Sequence, residues 1–288
     1  MGLGPPLCFA LGPLLFSQSR MSEVSERLRT LQRQIGRAAA SNATVNTTRS
    51  DLRRLLDLRA RAATRKLAAP AGIEIAEGLR LVESRRPCEA SRVVGVPWGD
   101  TSEVERERLV CFDTETTGLA GGVGTRAFMI GTAQWRGDEF VVRQLYLTAL
   151  GGEEEMLRSF AGCLPADAIF VSYNGRSYDT PLLKGRYRLH RQVHPFAERG
   201  HVDLLYPVRR AYRGVWENCR LQTIERQLLG ILRDDDLPGH EAPAAWLAYL
   251  RGQSSTNLGR VLDHNRQDVV TLAILFDRLA AAIRPPRP

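Results

Sequence analysis

The chain has 288 residues, enough for one large domain with additional segments, and its 43% hydrophobic and 25% charged residues are typical of a globular protein. It contains no run of roughly 18 to 20 apolar residues, which excludes a protein anchored by a typical membrane-spanning helix. The formal net charge of +8 indicates an anionic partner such as nucleic acid.

Residues 1–20 are apolar and precede Met21. Because this stretch contains prolines and lacks the basic start of a secretory signal, we interpret it as a dispensable extension, with a secretory signal as the alternative. The five cysteines include no Cys-x-x-Cys pair. They indicate a reducing compartment rather than a disulfide framework or a structural zinc site, so we predict a cytoplasmic protein.

Residues 21–69 are predicted to form a basic helical arm. Residues 22–69 contain eleven Lys and Arg against four Asp and Glu, a net charge of +7, whereas residues 70–288 are neutral overall. Apolar residues at helical spacing predict two helices in the arm, at about 22–40 and 50–67. Basic helices attract phosphates. The alternatives are a solvated amphipathic helix that packs against the domain at 70–288 and a partly disordered leader.

The domain at 70–288 has strands first and helices between and after them. Alternating or continuous apolar runs predict five strand segments: a strand pair in 73–86, then 108–113, 127–135, 139–147 and 168–174. Apolar residues at helical spacing predict six helices: 153–164, 180–191, 202–212, 221–230, 244–252 and 258–283. This order predicts an α/β fold with a mixed β-sheet flanked by helices.

Asp113 and Glu115 stand two positions apart at the end of a buried strand. Residues i and i+2 of a strand point to the same face, so these carboxylates project together and Thr114 faces away. Such carboxylates repel each other and are costly to desolvate unless a cation lies between them, and their oxygens suit Mg²⁺ or Mn²⁺. The alternative is a strand that ends in a solvated turn.

Two later segments contribute further candidates. Asp179 stands at the N-terminal end of a predicted helix, where it is either a metal ligand or a helix cap. His264 and Asp268 are four residues apart and therefore share one face of the long C-terminal helix. Because apolar residues around them indicate that this helix is packed, the charge of Asp268 needs a partner.

Together these segments resemble the motifs of the DEDD superfamily of 3′→5′ exonucleases, which share a ribonuclease H-like fold. The sequence Asp-Thr-Glu-Thr from Asp113 matches the first motif, 174–179 matches the second, and 264–268 matches the third. The resemblance is closer to the YprB-like ribonuclease H-like family and extends over about residues 73–283. The basic arm lies outside it.

The resemblance implies that Asp113, Glu115, Asp179 and Asp268 bind two divalent ions, Mg²⁺ or Mn²⁺. Two such ions clamp a scissile phosphate, one activating water and the other stabilising the departing 3′ oxygen. By the same resemblance, Asp113 bridges the ions and Asp179 acts largely through water on one of them. Glu115 and Asp268 complete the shell of the other ion.

His264 departs from the pattern of the family. The histidine subclass has its histidine five positions before the last aspartate, and the tyrosine subclass has its tyrosine four positions before. This chain has a histidine at the tyrosine spacing. We expect His264 to orient or deprotonate the attacking water. The alternative is a histidine on the helix surface that hydrogen-bonds nearby.

Several other residues are weaker candidates. Asp203 is expected either to support the site from behind its ligands or to cap the following helix. The run Arg-Asp-Asp-Asp at 233–236 is predicted to be a solvated turn. Tyr173, Tyr178 and Trp135 are candidates for stacking on bases, with a place in the core as the alternative.

The motifs and the resemblance together predict a metal-dependent 3′→5′ exonuclease that hydrolyses phosphodiester bonds at single-stranded 3′ ends of nucleic acid, without membrane association. The first alternative is a nucleic-acid-binding module or scaffold of the same fold with little catalysis. An endonuclease of this fold is the second. The complete set of carboxylates favours an enzyme, because a protein without catalysis has no reason to retain four mutually repelling acids.

Overall fold

The structure is a computed structural model that describes residues 68–96, 103–118, 124–234 and 236–283. The extension predicted at 1–20 and nearly all of the arm predicted at 21–69 lie outside these ranges, so both, and the domain boundary at 69 and 70, stay predictions. None of the helices in the described ranges combines the length and the apolar content of a membrane span.

Strands precede most of the helices along the chain. The strands are β1 Ile73–Ala76, β2 Leu79–Pro87, β3 Val93–Gly95, β4 Glu103–Glu105, β5 Leu109–Thr116, β6 Ala127–Arg136, β7 Glu139–Leu147, β8 Ile169–Ser172 and β9 His201–Asp203. The helices are α1 Glu153–Gly162, α2 Asp179–Leu189, α3 Leu205–Tyr212, α4 Leu221–Ile224, α5 Ala242–Leu250 and α6 Thr256–Ile283. A π-helical turn, Glu225–Leu229, continues α4.

Seven strands form one sheet in the order β1-β2-β7-β6-β5-β8-β9. The first four pairs in this order, β1-β2, β2-β7, β7-β6 and β6-β5, are antiparallel. Strands β5, β8 and β9 are parallel to one another. The predicted mixed sheet is therefore confirmed. The sequence analysis did not predict β3 and β4, which form a separate two-stranded sheet.

Helices cover both faces of the sheet and form two hydrophobic cores. Residues of α1, α2 and α5 contribute to one core, and residues of α3 and the C-terminal half of α6 contribute to the other. On β5, Phe112 belongs to the first core and Cys111 to the second. Because strand side chains alternate between faces, Asp113 and Glu115 continue the row of Cys111, on the side of α6.

The position of α2 depends on a buried ion pair with α1. Nε and Nη2 of Arg186 donate to Oε1 and Oε2 of the Glu153 carboxylate, at 2.5 Å each. Breaking such a pair leaves an uncompensated buried charge, which makes it a strong constraint on the two helices. This pair anchors α2, whose first residue is Asp179.

One predicted helix is wrong at its beginning. The helix predicted at 202–212 starts only at Leu205, because residues 201–203 form strand β9 instead. Strand β9 pairs with β8, with Phe170 opposite His201 and Ser172 opposite Asp203. Three residues are too few to show a strand period, so this strand is determined by its tertiary partner rather than by its local sequence.

Two glycine substitutions test the packing of the sheet. A methyl group at Gly131, on the central strand β6, would stand 2.1 Å from Asn265 Oδ1, so Gly131→Ala is expected to lower the free energy of unfolding by about 1 to 3 kcal/mol. A methyl group at Gly185, inside α2, meets nothing within 4 Å, so Gly185→Ala is expected to raise it by about 0.5 to 1 kcal/mol. Urea unfolding measures both values. Equal stability of Gly131→Ala and the parent would contradict the packing of β6 against α6.

Candidate active site

The site candidates come from three elements of the fold. Asp113 and Glu115 lie on β5, Asp179 begins α2, and His264 and Asp268 lie on α6. The structure brings the five predicted residues to one region. Asp113 and Asp179 line one cavity, and Glu115 lies two positions from Asp113 on the same face of β5. His264 Nε2 lies 3.5 Å from Asp268 Oδ2, and the charge of Asp268 acts on Asp113. We refer below to the aspartates at 113, 179 and 268 and the glutamate at 115 as the four carboxylates.

The four carboxylates are largely withdrawn from water. Burial raises the pKa of Asp113 well above its usual range, and the charges of the other three carboxylates raise it further. Burial raises the pKa of Glu115 to about 8, although the positive charge of His264 opposes this. Burial also raises the pKa of Asp179, to about 6, and that of Asp268. The site therefore holds more negative charge than the surrounding protein offsets.

Asp179 is held by the loop before α2 and by the sheet. The hydroxyl of Thr114 donates to Asp179 Oδ1, so Thr114, which faces away from Asp113, reaches the site from the other side of β5. Gly175 packs closely here, because a Cβ atom at this position would lie 2.6 Å from Ser172 Oγ and 3.2 Å from Asp179 Oδ2. This contact requires glycine.

Asp203 fixes the same loop and also caps α3. Its Oδ1 accepts the backbone N–H groups of Asn174, at 2.7 Å, and Leu205, at 3.1 Å. Its Oδ2 accepts the backbone N–H of Arg176 at 3.1 Å. Asp203 is thus a support of the site and a helix cap at once, so the two predicted roles are not alternatives.

Asn265 is a site residue that the sequence analysis missed. Its side chain is fully buried, and its Nδ2 donates to Asp113 Oδ2 at 3.0 Å. Gln144 Nε2 donates in turn to Asn265 Oδ1 at 3.1 Å and to the carbonyl oxygen of Leu262 at 2.7 Å. The signal in the sequence is a polar Gln144 within the apolar strand β7, which requires a buried polar partner.

The prediction of a solvated turn at 233–236 is wrong for Arg233 and Asp236, whose side chains are only 9% and 15% exposed. Arg233 donates to both carboxylate oxygens of Glu225, at 2.6 Å from Nε and 2.8 Å from Nη2. Its Nη2 also donates to Asp268, and its Nη1 donates to Asp236 Oδ2 at 3.3 Å. The physical reason is the buried carboxylate of Glu225, on the π-helical turn, which needs a cation.

His264 is fixed between Asp236 and Asp268. Its Nδ1 lies 2.7 Å from Asp236 Oδ1, and its Nε2 lies 3.5 Å from Asp268 Oδ2. Arg233 Nη1 also lies 3.2 Å from Nδ1, but the carboxylate of Asp236 is closer and only accepts hydrogen bonds, so we assign the proton to Nδ1. Burial alone would lower the pKa of His264, but the surrounding carboxylates outweigh it and raise the pKa. The side chain is 11% exposed, so the alternative of a surface histidine is wrong.

The chemistry of the donor set fits a divalent cation. The candidates are hard oxygen ligands whose pKa values are raised by burial and, for Asp113 and Glu115, further by neighbouring carboxylates, both of which a bound cation would offset. In the described ranges, no three His, Cys, Asp or Glu side chains stand close enough together to form a ready metal cluster. Three of the carboxylates are instead held by partners: Asn265 holds Asp113, Thr114 holds Asp179 and Arg233 holds Asp268.

A cavity of about 430 Å³ opens on part of the site. Asp113, Thr114 and Asp179 line it, together with Tyr173 and Tyr178. These two tyrosines are therefore placed where a ligand could contact them. Trp135, the third aromatic candidate, is instead buried in the core beneath a guanidinium, which confirms the alternative for that residue.

Comparison with known proteins identifies the family. The model of the RNase_H superfamily matches residues 110–280, which include all five predicted site residues. The chain belongs to the RNase_H superfamily. It is also similar to the uncharacterized protein YprB of Bacillus subtilis (strain 168), with 36% identity over 179 residues. That match covers 62% of this chain and 43% of YprB, so the chain spans less than half the length of this relative. The predicted YprB-like ribonuclease H-like family is therefore confirmed.

Among solved structures, the fold is similar to that of exonuclease I. The complex of E. coli exonuclease I with a dT13 oligonucleotide has 15% identity and a TM-score of 0.35, covering 56% of this chain and 42% of that chain. A second structure of exonuclease I, which suggests how that enzyme achieves processivity, has 16% identity and a TM-score of 0.37. This match covers 59% of this chain and 42% of that chain.

The charge of Asp113 is expected to destabilise the protein in the absence of metal. A carboxyl whose pKa is raised by folding binds its proton more tightly in the folded state. The free energy of unfolding therefore falls as pH rises from the pKa of the carboxyl in the unfolded chain to its higher pKa in the folded protein. In EDTA, Asp113→Asn is expected to be more stable than the parent at pH 8 by about 1 kcal/mol or more, with a smaller difference at pH 4.5. Urea unfolding at both pH values measures this. A less stable Asp113→Asn at pH 8 would make Asp113 a structural residue.

Proposed function

We propose that this chain is a metal-dependent 3′→5′ exonuclease that hydrolyses phosphodiester bonds in single-stranded nucleic acid. The observation that carries the proposal is the convergence of the four carboxylates from β5, α2 and α6, beside a histidine with an oriented ring. Their raised pKa values mean that, when ionised, they cost the folded protein stability. Such a cost favours a functional site over a structural role.

In this proposal Asp113, Glu115, Asp179 and Asp268 hold two Mg²⁺ or Mn²⁺ ions. When bound, such ions supply Lewis-acid stabilisation for negative charge on the attacking and departing oxygens of a phosphodiester. Asn265 orients Asp113 through its hydrogen bond, and Thr114 orients Asp179. These contacts hold the carboxylate oxygens in place before a substrate binds.

His264 is the proposed general base. Its Nδ1 proton is directed at Asp236, so Nε2 of the neutral ring has a free lone pair that can take a proton from the attacking water. Arg233 holds Asp236 and Asp268 on either side of this ring. Attack by water forms a new bond to phosphorus and breaks the bond to the departing 3′ oxygen, which releases the terminal nucleotide.

The action at a 3′ end and the preference for a single strand rest on the resemblance of the three motifs to DEDD exonucleases. A nucleic-acid-binding module with little catalysis is less well supported, because all four carboxylates are present together with an oriented histidine.

Within the described ranges, Cys88, Cys111, Cys163 and Cys219 are all free thiols. These thiols support the proposal of a cytoplasmic protein.

A gel time course on 5′-labelled single-stranded DNA and RNA tests the proposal. With Mn²⁺ or Mg²⁺ the parent is expected to produce a ladder that shortens from the 3′ end, and with EDTA it is expected to leave the substrate intact. Asp113→Asn should lose at least about 100-fold in rate. Asp263→Asn is the matched control, because Asp263 lies next to His264 on α6 with its side chain 72% exposed, and it should keep the parental rate.

Three outcomes would contradict the proposal in different ways. Internal cleavage of a substrate whose 3′ end is blocked would indicate an endonuclease. Intact substrate in every lane, with a shifted band in a binding gel, would indicate a binding module. Equal loss of activity in the two aspartate variants would show that the effect of Asp113→Asn is not specific to the site.

A further inference from the structure

A second cavity, of about 690 Å³, adjoins the one that contains Asp113 and Asp179. The two cavities share Tyr173 and Asn174 in their walls, so they lie next to each other. The far wall is formed by α3 and by the segment that connects α3 to α4. We call this cavity the arginine cleft, after the residues that line it on that side: Arg209, Arg213 and Arg220, with Trp216 between them.

The three arginines of the cleft carry positive charge that the described part of the chain does not neutralise. Their side chains are exposed, and within the described ranges none of them has a carboxylate partner at salt-bridge distance, unlike Arg186 and Arg233. The only acidic residue that the described structure places in the cleft wall, Glu217, is already paired with Arg226 outside the cleft. The cleft is thus a local excess of guanidinium groups.

This excess lies beside a site with the opposite charge. The four carboxylates repel the phosphates of any nucleic acid that approaches them, and residues 70–288 have no net positive charge to attract it. Within residues 70–288, affinity for a phosphodiester chain therefore requires cations placed near the site but separate from it, in addition to any contribution of the basic arm. Guanidinium groups suit this role, because they bind phosphate oxygens in a bidentate manner.

The cleft also contains a fixed aromatic surface. Trp216 stacks on Tyr212, with ring centroids 4.5 Å apart and an angle of 16° between the ring planes. The hydroxyl of Tyr173 donates to the carbonyl oxygen of Cys219 at 2.6 Å, which holds the wall shared by the two cavities. Rigid aromatic rings between cations are the arrangement that binds single strands, since bases stack on the rings while the cations contact the phosphates.

We propose that the arginine cleft binds the phosphodiester backbone of a single strand on the 5′ side of its terminal nucleotide. Arg209, Arg213 and Arg220 contact the phosphates, and Trp216 contacts a base. This inference rests on the proposed function, because it places the 3′ end of the strand at the four carboxylates. It adds the path that the rest of the strand follows and the residues that hold it.

Equilibrium binding in EDTA tests this path without cleavage. The probe is a fluorescent single-stranded oligonucleotide of 20 nucleotides, titrated with the full chain at several salt concentrations. The triple variant Arg209→Ala, Arg213→Ala, Arg220→Ala is expected to bind at least about tenfold more weakly than the parent at low salt. The slope of the logarithm of its association constant against the logarithm of the salt concentration should be shallower by about 2. Each lost phosphate contact removes about 0.7 from this slope, and the variant loses three contacts.

The matched control removes three exposed arginines outside the cleft: Arg188→Ala, Arg210→Ala, Arg251→Ala. It should bind with the affinity and salt slope of the parent. A second test variant with glutamine at the three cleft positions keeps a polar side chain but removes the charge, and it should lose binding to the same extent. Melting temperatures within about 2 °C of the parent show that the variants are folded.

The outcomes separate this inference from the function on which it rests. Equal losses in the cleft variant and the control variant, or no loss in either, would overturn the role of the cleft even if the parent is an active exonuclease. A parent that does not bind the oligonucleotide would overturn it as well. Binding that depends on the cleft, together with no cleavage in the presence of metal, would support the path and contradict the nuclease.

Discussion

Negative charge withdrawn from water is the constraint on which the rest of the site depends. Four carboxylates converge from β5, α2 and α6. Burial raises the pKa of each, and the charges of the other carboxylates raise the pKa values of Asp113 and Glu115 further. The protein offsets this cost only in part. Asn265 donates to Asp113, and the guanidinium of Arg233 neutralises part of the charge of Asp268. The remaining charge is what a divalent cation would offset, so the fold is adapted to a site rather than to maximal stability.

The supports of the carboxylates extend deep into the sheet. Asn265 can reach Asp113 only because β6 has a glycine, Gly131, at the point of contact, and because Gln144 on β7 holds the asparagine from behind. On the other side of the site, Arg233 links Glu225 of the π-helical turn with Asp268 on α6. Neighbouring strands and a non-standard helical turn thus serve to orient two side chains, as a preorganised site requires.

Local sequence predicted which of the site candidates share a face of one element, because their spacing is tied to secondary structure. The strand period puts Asp113 and Glu115 on one face of β5, and the helix period puts His264 and Asp268 on one face of α6. The failures concern contacts between residues far apart in the chain. Arg233 and Asp236 lie in a segment with no period of its own, and their burial depends on Glu225 and His264. Strand β9 is likewise determined by its pairing with β8.

The charges of the protein are separated in a way that total composition conceals. Residues 70–288 are neutral overall, yet they combine a site rich in carboxylates with an adjoining cleft rich in arginines. Cations bound at the carboxylates would offset their negative charge, and phosphates bound in the arginine cleft would offset its positive charge. In this account the same strand of nucleic acid engages both, with its 3′ end at the carboxylates.

The central claim is that the four carboxylates bind a divalent cation, and Mn²⁺ binding measured by electron paramagnetic resonance tests it most directly, because the signal counts free ions and needs no substrate. The account predicts that the parent and Asp263→Asn bind Mn²⁺ equally well and that Asp113→Asn binds it at least about tenfold more weakly. A parent that leaves all Mn²⁺ free, or an Asp113→Asn protein that binds it as tightly as the parent, would contradict the account.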